Sequence, residues 1–521
     1  MKTVGRCRRL RHPAGVRGGF LAAAALAALA VLAPAAFGHA RATAHRAAVP
    51  STVTVGLSLK VSNLDPDLAV EPSNLDALHL IAGTLTELPG KGGAVQPGLA
   101  KSWKVAANGL TVTFNLRPGL TFSDGSALGA SDVVASFQRF LTDKANVNAG
   151  LLAPIKSVAA QGNAVVFKLK SRYPSFPTVV GEPAFPVFPA KGIASPKQFL
   201  KKPISAGPYQ IGAWNGSNIT LVRNPRYAGA KPVVQTIKFV TVIDPNTRVV
   251  QLRGGQIDIA DNLPGSVIPQ LSGATRPVVT PIYGGVYLYV NNRHAPLNDS
   301  RVRRAISLAM NRDQLNSIAF AGKSHAMDSF FPGTMHCCHL SAPPIKQDIA
   351  KAKALLAGTA CANGCNLKLS LRNGLDYADR AGVVVQQDLK AIGINASIEQ
   401  VDPSVAGKAE GDGTFDLEVN GLNDYVDIPD GMLTYGLIST GGIDALFSGY
   451  KSKAMDAASL RAISSQGAAR TAAIKQVEKI FAKDMPFVPL IDLSLITGTR
   501  LASNVVYVGT TSFYEVQRQG G

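Results

Sequence analysis

Three carboxylates stand close together in one short segment near the C-terminal end of the chain. Asp424, Asp427 and Asp430 lie within the run Asp-Tyr-Val-Asp-Ile-Pro-Asp. A pair of such carboxylates could supply the acid and the base of a secreted glycosidase. Asp and Pro are also common turn residues, so the same run could simply cap and turn the chain. The segment is therefore a first candidate site, with both interpretations open.

Four cysteines form a second group with chemical potential. They are Cys337, Cys338, Cys361 and Cys365. An even number of cysteines in an exported protein predicts disulfides. We favour two bridges that each join one member of the first pair to one member of the second, because a bond between adjacent cysteines is strained. Zinc is the alternative, since His336 and His339 flank the first pair, although the spacing is not that of a standard finger.

Common enzyme motifs are missing from the sequence. There is no Gly-x-Ser-x-Gly elbow, no His-Glu-x-x-His pair, no Walker phosphate loop and no Gly-x-Gly-x-x-Gly after a strand. A triad assembled from distant residues stays open. The pattern favours a binding protein with no resident cofactor or metal over an enzyme.

The N-terminus predicts export. Residues 1–18 carry six basic residues and no acid, residues 19–36 are almost wholly apolar, and Ala-x-Ala patterns follow at residues 40–44. This is the arrangement of a secretory signal peptide, which we assign to residues 1–42. An uncleaved anchor is the alternative. Either way we expect an extracytoplasmic protein.

Composition and charge narrow the class further. The 521 residues are 46% hydrophobic and 17% charged, with a formal net charge of +19. Removing the signal takes away seven basic residues and leaves 46 against 34 acidic residues, a net charge of +12. No block of Lys and Arg residues forms a nucleic-acid-binding face. Only one apolar run approaches the length needed to span a membrane, which excludes a multi-pass membrane protein.

Local patterns predict a mixed α/β core. Residues 52–59 and 111–116 alternate as strands, and a helix begins near Ser131. Residues 379–392 have helical periodicity, end at Gly393 and lead into an alternating strand. A helix followed by a glycine and a short strand is half of a βαβ unit.

Several stretches, in order, resemble the extracytoplasmic solute-binding proteins of family 5, the peptide and nickel binders of ABC importers. The stretches are Asn63–Pro66, Gly98–Trp103 with Asn108–Arg117, Phe122–Gly125 with Ala130–Ser136, Gly207–Tyr209 with Arg223–Pro225 and Tyr227, Gly255–Asp258 and Asn291–Asn311. The resemblance extends over about residues 50–520.

The resemblance implies a two-lobed, type II periplasmic-binding-protein fold, a Venus flytrap with an extra α/β subdomain. Lobe I would comprise residues 49–87, 201–282 and 486–521, the extra subdomain residues 88–200, and lobe II residues 283–485. Such a protein closes on a solute and is then recognised by a membrane permease and its ATPase. We expect a monomer that binds an oligopeptide, with metal complexes, sugars and opines as alternatives. A sensor or chaperone role without transport also stays open.

The resemblance also suggests ligand-binding residues. In peptide binders of this family an Asp in a Trp-x-x-Asp-Tyr segment holds the α-amine of the ligand, and Asp424-Tyr425 is similar to its Asp-Tyr pair. The preceding residues, Gly421 to Asn423, provide no Trp, which removes an aromatic wall. Further candidates lie at or after predicted strands in lobe II. They are Asn291, Asn292, Asn373 and Tyr287.

Overall fold

A computed structural model describes residues 50–69, 71–88, 94–340, 345–424, 426–440 and 448–501. The predicted signal peptide, Tyr425 and residues 502–521 lie outside these ranges. Within them, no helix has the length and apolar character needed to cross a membrane.

Strands and helices alternate along the chain, as the mixed α/β prediction requires. The strands are β1 Thr52–Leu57, β2 Thr86–Glu87, β3 Gln96–Pro97, β4 Ala100–Val105, β5 Thr111–Leu116, β6 Ile155–Gln161, β7 Ala164–Leu169, β8 Tyr209–Trp214, β9 Ile219–Arg223, β10 Thr236–Thr241, β11 Ile259–Ala260, β12 Arg276–Val290, β13 Cys365–Arg372, β14 Ile394–Val401, β15 Leu417–Asp424 and β16 Phe487–Thr499. The helices are α1 Pro72–Ile81, α2 Ala130–Thr142, α3 Ala149–Leu152, α4 Phe176–Val179, α5 Ala190–Ile193, α6 Pro196–Phe199, α7 Pro245–Arg253, α8 Ser300–Ala309, α9 Arg312–Phe320, α10 Ile349–Leu356, α11 Asp376–Ala391, α12 Pro403–Asp412, α13 Asp430–Gly436, α14 Lys453–Ser464 and α15 Gly467–Asp484, with a 3-10 helix at Gly265–Gln270.

One large sheet runs through both halves of the chain, in the order β14-β13-β15-β12-β16-β11-β1-β10-β9-β8. Its centre is the long antiparallel pair β12 and β16. Strands β1 and β8–β11, here called the first strand group, lie on one side; β13–β15, the second strand group, lie on the other. The β12–β16 pairing is interrupted between Pro281 and Gly285. The lobe boundary at 282/283 falls at this interruption and stays a prediction.

A separate small sheet, β4-β5-β7-β6, packs on α2 through aromatic side chains. The alternation of β5 buries Val112, Phe114 and Leu116, which confirms the strand predicted there. The rings of Phe137 from α2 and Phe167 from β7 meet edge to face at 4.9 Å. This aromatic core supports the segment of chain that follows β7.

The predicted helix–glycine–strand unit is confirmed as α11, Gly393 and β14. Gly393 adopts a φ of +87°, a backbone conformation that residues other than glycine rarely adopt. The chain can therefore turn sharply after the helix. Strand β13 then pairs in parallel with β14 and with β15. The carboxyl ends of β13 and β14 therefore lie side by side, with Arg372 opposite Val401. Strand β15 continues beyond its last pairing with β13, at Val419, and ends at Asp424.

The favoured disulfide pairing is wrong. Each cysteine bonds within its own group: Cys337 with Cys338, and Cys361 with Cys365. A turn after α10, completed by Gly364 at a φ of +91°, brings Cys361 and Cys365 to a Cα separation of 5.0 Å, within the ordinary range for a disulfide. Local chain geometry thus supplies both partners, and no thiol is left for a bridge between the groups.

Peptide mapping tests this correction. Trypsin acts after Lys323, Lys346, Lys353 and Lys368, so each pair falls in its own peptide, residues 324–346 and 354–368. We expect a non-reduced digest to contain the two peptides separately, each lighter by two hydrogen atoms than its reduced form. A single species joining both peptides would contradict the local pairing.

Candidate functional site

The edge formed by the second strand group concentrates charged side chains. Arg372 ends β13, and β15 carries Glu418 near its start and Asp424 at its end. Because β13 and β15 run parallel, the loops that follow them leave the sheet on the same side. In open α/β sheets ligands bind beyond the carboxyl ends of the strands. This edge is therefore the place to look for a site.

Arg372 is held between two buried acids. Its Nε donates to Glu418 Oε1 and its Nη2 to Glu410 Oε1, both at 2.6 Å. Burial lowers the pKa of Arg372, but Glu418 and Glu410 more than offset this and raise it overall. Burial raises the pKa of Glu410 to about 8, and the charge of Glu418 adds to the rise. One arginine thus binds two carboxyl groups, of which Glu410 keeps a proton near neutral pH.

Two residues that precede α1, Leu59 and Glu71, approach the Arg372 group from the first half of the chain. Burial raises the pKa of Glu71, while the charge of Arg372 opposes the rise, so the two side chains lie near one another. A Cβ built on Gly374 would lie 3.2 Å from Leu59 Cδ2. Leu59 and Glu71 therefore lie next to Gly374 and Arg372, where the two halves come together.

Tyr377 supplies an aromatic ring above the strand that lacks the expected Trp. A Cβ built on Gly421 would lie 3.1 Å from the Tyr377 hydroxyl, so the hydroxyl end of this side chain occupies the space over the glycine. The ring stacks on Phe320, with centroids 6.0 Å apart. Burial raises the pKa of Tyr377, so its hydroxyl stays neutral. The missing aromatic wall is thus partly replaced from α11.

Asp424 lies beside two further buried acids. Its Oδ2 accepts a hydrogen bond from the Gly431 backbone N–H at 2.8 Å, and a Cβ on Gly431 would come within 2.4 Å of the same oxygen. Only glycine fits there. Asp424 and Asp430 both face Glu182, which follows α4, and burial followed by these two charges raises the pKa of Glu182 well above its usual range. We call Glu182, Asp424 and Asp430 the acidic cluster.

The acidic cluster is closed to water. The exposed fractions are 1% for Glu182, 3% for Asp424 and 0% for Asp430. Burial raises the pKa of Asp430 to about 6, against the opposing charge of Arg470. The phenol of Tyr173 faces all three acids, and its pKa is raised well above the usual value, first by burial and then by their charges. Asp424 thus both caps a turn and belongs to the buried acidic cluster.

Three residues predicted to bind ligand make structural hydrogen bonds, two of them in the core and the third, Asn292, half-buried. Tyr287 is fully buried and donates its hydroxyl to the Phe330 carbonyl at 2.6 Å. Asn291 is fully buried and donates to the carbonyls of Phe415 and Gly413. Asn292 ties Val290, Ser448 and Pro486 together through their carbonyl oxygens. We therefore base no ligand contact on these side chains.

Other predicted residues have varied positions. Asn373 is exposed directly after Arg372, with its N–H bonded to the Val401 carbonyl at 2.9 Å. Tyr425 lies outside the described residues. Asp427 accepts the Cys337 N–H at 2.9 Å. His336 and His339 lie against backbone carbonyls, and no group of three metal-ligating side chains occurs in the described ranges.

Sequence reasoning missed five charged residues of the site and one tyrosine. They are Glu71, Glu182, Arg372, Tyr377, Glu410 and Glu418. Arg372 carries the same signal as its neighbour Asn373, a polar residue directly after an alternating strand, and could have been found. Glu182 lies in the Pro-rich connector at residues 172–208, where no periodicity indicates which way a side chain faces.

Comparison with known proteins gives one family. Residues 94–443 match the model for bacterial extracellular solute-binding proteins, family 5. The di/tripeptide-binding protein 2 of Pseudomonas aeruginosa is 28% identical over 488 residues, which cover 85% of this chain and 90% of the relative. The nickel-binding periplasmic protein of Escherichia coli is 29% identical, over 71% of this chain and 75% of the relative.

A solved structure confirms the predicted type II periplasmic-binding fold. The ABC transporter-associated periplasmic binding protein DppA from Helicobacter pylori, in complex with the peptide STSA, superposes with a TM-score of 0.80 at 24% identity. The match covers 86% of this chain and 93% of that one.

The Arg372 group predicts how stability depends on pH. Between pH 4.5, the ordinary pKa of Glu, and about 8, the folded chain keeps a proton on Glu410 that the unfolded chain has lost. The free energy of unfolding should therefore fall as pH rises through this window. Glu410→Gln mimics the protonated acid, so the fall should be smaller in this variant, by on the order of 1 kcal/mol or more.

Urea unfolding of both proteins across this pH window measures the effect. Glu399→Gln is the control, because Glu399 is exposed and pairs with Lys368 at the surface. Identical pH slopes for the wild type and Glu410→Gln would contradict the assignment of a retained proton to Glu410.

Proposed function

Because the chain belongs to family 5 of the bacterial extracellular solute-binding proteins, we propose that it binds a short peptide and delivers it to an ABC permease. The chain would act outside the cytoplasm, exported by residues 1–42, as a monomer. The permease and its ATPase would be its partners in the membrane. The relative named as a di/tripeptide-binding protein supports a peptide as the solute.

The two halves of the large sheet suggest how the solute is enclosed. We assign the first strand group to lobe I and the second to lobe II, with β12 and β16 as the strands that pass between them. Lobe closure on a solute is a shift between open and closed populations, driven by tighter binding to the closed one. Glu71 and Arg372, which approach from opposite halves, would stabilise the closed arrangement by their opposite charges.

The buried Asp424 carboxylate is the observation that favours a peptide. Asp424 lies where the second strand group ends, out of contact with water and among other acids. A buried carboxylate attracts an opposite charge more strongly than a carboxylate in water does. The α-ammonium of a peptide carries that charge and donates three hydrogen bonds, and such charge-assisted bonds are strong. A peptide amine would therefore bind against Asp424.

The same geometry weakens the hydrolase alternative. Asp424 uses one oxygen to accept the Gly431 N–H, and Asp427 accepts the Cys337 N–H. Both carboxylates thus hold the 424–431 turn and the neighbouring loop in place. Two carboxylates that already accept backbone hydrogen bonds are more consistent with a binding protein than with a hydrolase.

Replacing Asp424 tests the proposal. Asp424→Asn keeps the size and the acceptor for Gly431 but removes the charge, so the binding of Ala-Ala-Ala should weaken by about 2–5 kcal/mol. Isothermal titration calorimetry of the refolded, solute-free protein measures the affinity. Asp427→Asn is the matched control, because it makes the same change three residues away in the same segment and should bind like the wild type.

Two results would count against this function. A wild-type protein that binds no peptide would contradict the peptide as solute. Equal affinities of Asp424→Asn and the wild type would remove Asp424 from the site.

A further inference from the structure

Positive charge is concentrated on the small sheet, β4-β5-β7-β6. Its strands and the turns between paired strands lie in residues 96–117 and 154–172, and neither segment contains an Asp or a Glu. The basic residues of the two segments are Lys101, Lys104, Arg117, Lys156, Lys168, Lys170 and Arg172. Residues 43–521 have a net charge of +12, from 46 basic and 34 acidic residues. The two short segments therefore hold an excess equal to seven of those twelve charges.

Two of the lysines stand on the face of the small sheet that is turned away from α2, here called the outer face. Strand β5 directs Phe114 into the aromatic core and Thr111 and Thr113 to the other side. Thr113 pairs with Lys104 of β4, and Thr111 pairs with Lys168 of β7. Because directly opposed residues point to the same face of a sheet, both lysines lie on the outer face, where they are exposed.

Between these lysines, the outer face carries small and uncharged side chains. Val166 of β7 pairs with Thr113 on one side and with Ala159 of β6 on the other, so all three lie on this face. The aromatic rings lie on the opposite face, where Trp103 packs near Phe114 with ring centroids 6.4 Å apart. Within the two segments, the outer face therefore has neither an acid nor an aromatic ring.

Further cations lie at the margins of the small sheet. Lys101 and Lys156 are exposed at irregularities of the two edge strands, β4 and β6. Lys170 and Arg172 follow β7 and each donate to a backbone carbonyl, at 2.9 and 3.2 Å, which orients the side chain without neutralising its charge. None of the lysines on the four strands forms an ion pair with an acid in the described part of the chain. The positive charge of this sheet is therefore not compensated locally.

Protection of the sheet edges explains only part of this arrangement. Lysines on edge strands prevent pairing with the strands of another molecule, and bulges serve the same purpose. This accounts for Lys101 and Lys156. It does not account for Lys168, which stands on the inner strand β7 between β5 and β6. It also does not explain the missing acids, since a surface that serves solubility alone mixes charges of both signs.

An exposed sheet face of this kind suits the surface of an anionic bilayer. A patch of one sign attracts the opposite charge, and each lysine close to anionic headgroups adds to the attraction. Proteins that bind single-stranded nucleic acid stack its bases on aromatic rings, and this face has none. We propose that the outer face of the small sheet binds the anionic phospholipid headgroups of the membrane.

The inference goes beyond the proposed function, because it concerns where the protein is held and not which solute it carries. Since no large apolar side chain is available to enter the bilayer, the contact is electrostatic and reversible. It would keep the protein close to a permease in the same membrane. Its test needs no solute, so a failure of peptide binding and a failure of membrane binding are seen separately.

Co-sedimentation of the mature protein with lipid vesicles tests the proposal. One set of vesicles contains equal parts of phosphatidylcholine and phosphatidylglycerol, and the other contains phosphatidylcholine alone. The proteins are the wild type, the double variant Lys104→Gln/Lys168→Gln and the control Lys475→Gln/Lys479→Gln. Lys475 and Lys479 are exposed on α15 and likewise form no ion pair with a described acid, so the control loses the same charge elsewhere. The melting temperature of each protein shows that it is folded.

We expect the wild type to sediment with the anionic vesicles and not with the neutral ones. Raising the salt from about 0.1 M to about 1 M shortens the Debye length from about 10 Å to about 3 Å and should release the protein. Lys104→Gln/Lys168→Gln should bind the anionic vesicles about tenfold more weakly than the wild type. Lys475→Gln/Lys479→Gln should stay close to the wild type.

Two results would overturn the proposal. Equal losses in both double variants would mean that diffuse net charge, and not the outer face, attracts the protein to lipid. A wild type that stays in solution with anionic vesicles at low salt would exclude a lipid surface and would leave the outer face to an acidic protein such as the permease.

Discussion

The antiparallel pairing of β12 with β16 holds both halves of this chain in one sheet. On one side, β16 pairs with β11, which leads to β1 and β10; on the other, β12 pairs with β15, which leads to β13 and β14. The ladder is interrupted between Pro281 and Gly285, close to where the first strand group gives way to the second. Two strands that are shared in this way can keep two lobes together while they turn against one another.

The region where the halves meet has an unusual charge balance. The chain as a whole is basic, with a net charge of +19. The site nevertheless contains more acids than arginines: Glu71, Glu182, Glu410, Glu418, Asp424 and Asp430 against Arg372 and Arg470. Burial raises the pKa of Glu71, Glu182, Glu410 and Asp430, so these acids hold their protons more readily than exposed acids do. A positively charged group beside them would favour their ionised form.

The sequence predicted those features that depend on neighbouring residues. Alternation located β5, and helical periodicity ending at Gly393 located α11 and β14. The 424–430 segment was found because its acids are close together in sequence. The Arg372 group was missed because Glu410 and Glu418 are 38 and 46 positions away, and nothing local marks them as partners. The disulfides were paired wrongly because nothing local in the sequence marks the turn at Gly364 that brings Cys361 to Cys365.

The most direct test of a peptide held by its amine is to identify the solute that the protein carries. Native mass spectrometry of the mature protein, purified without denaturant, followed by release and sequencing of the bound molecules, gives their masses and end groups. The account predicts short peptides with free N-terminal amines. A released solute without an amine, such as a sugar or a metal complex of carboxylates, would contradict it.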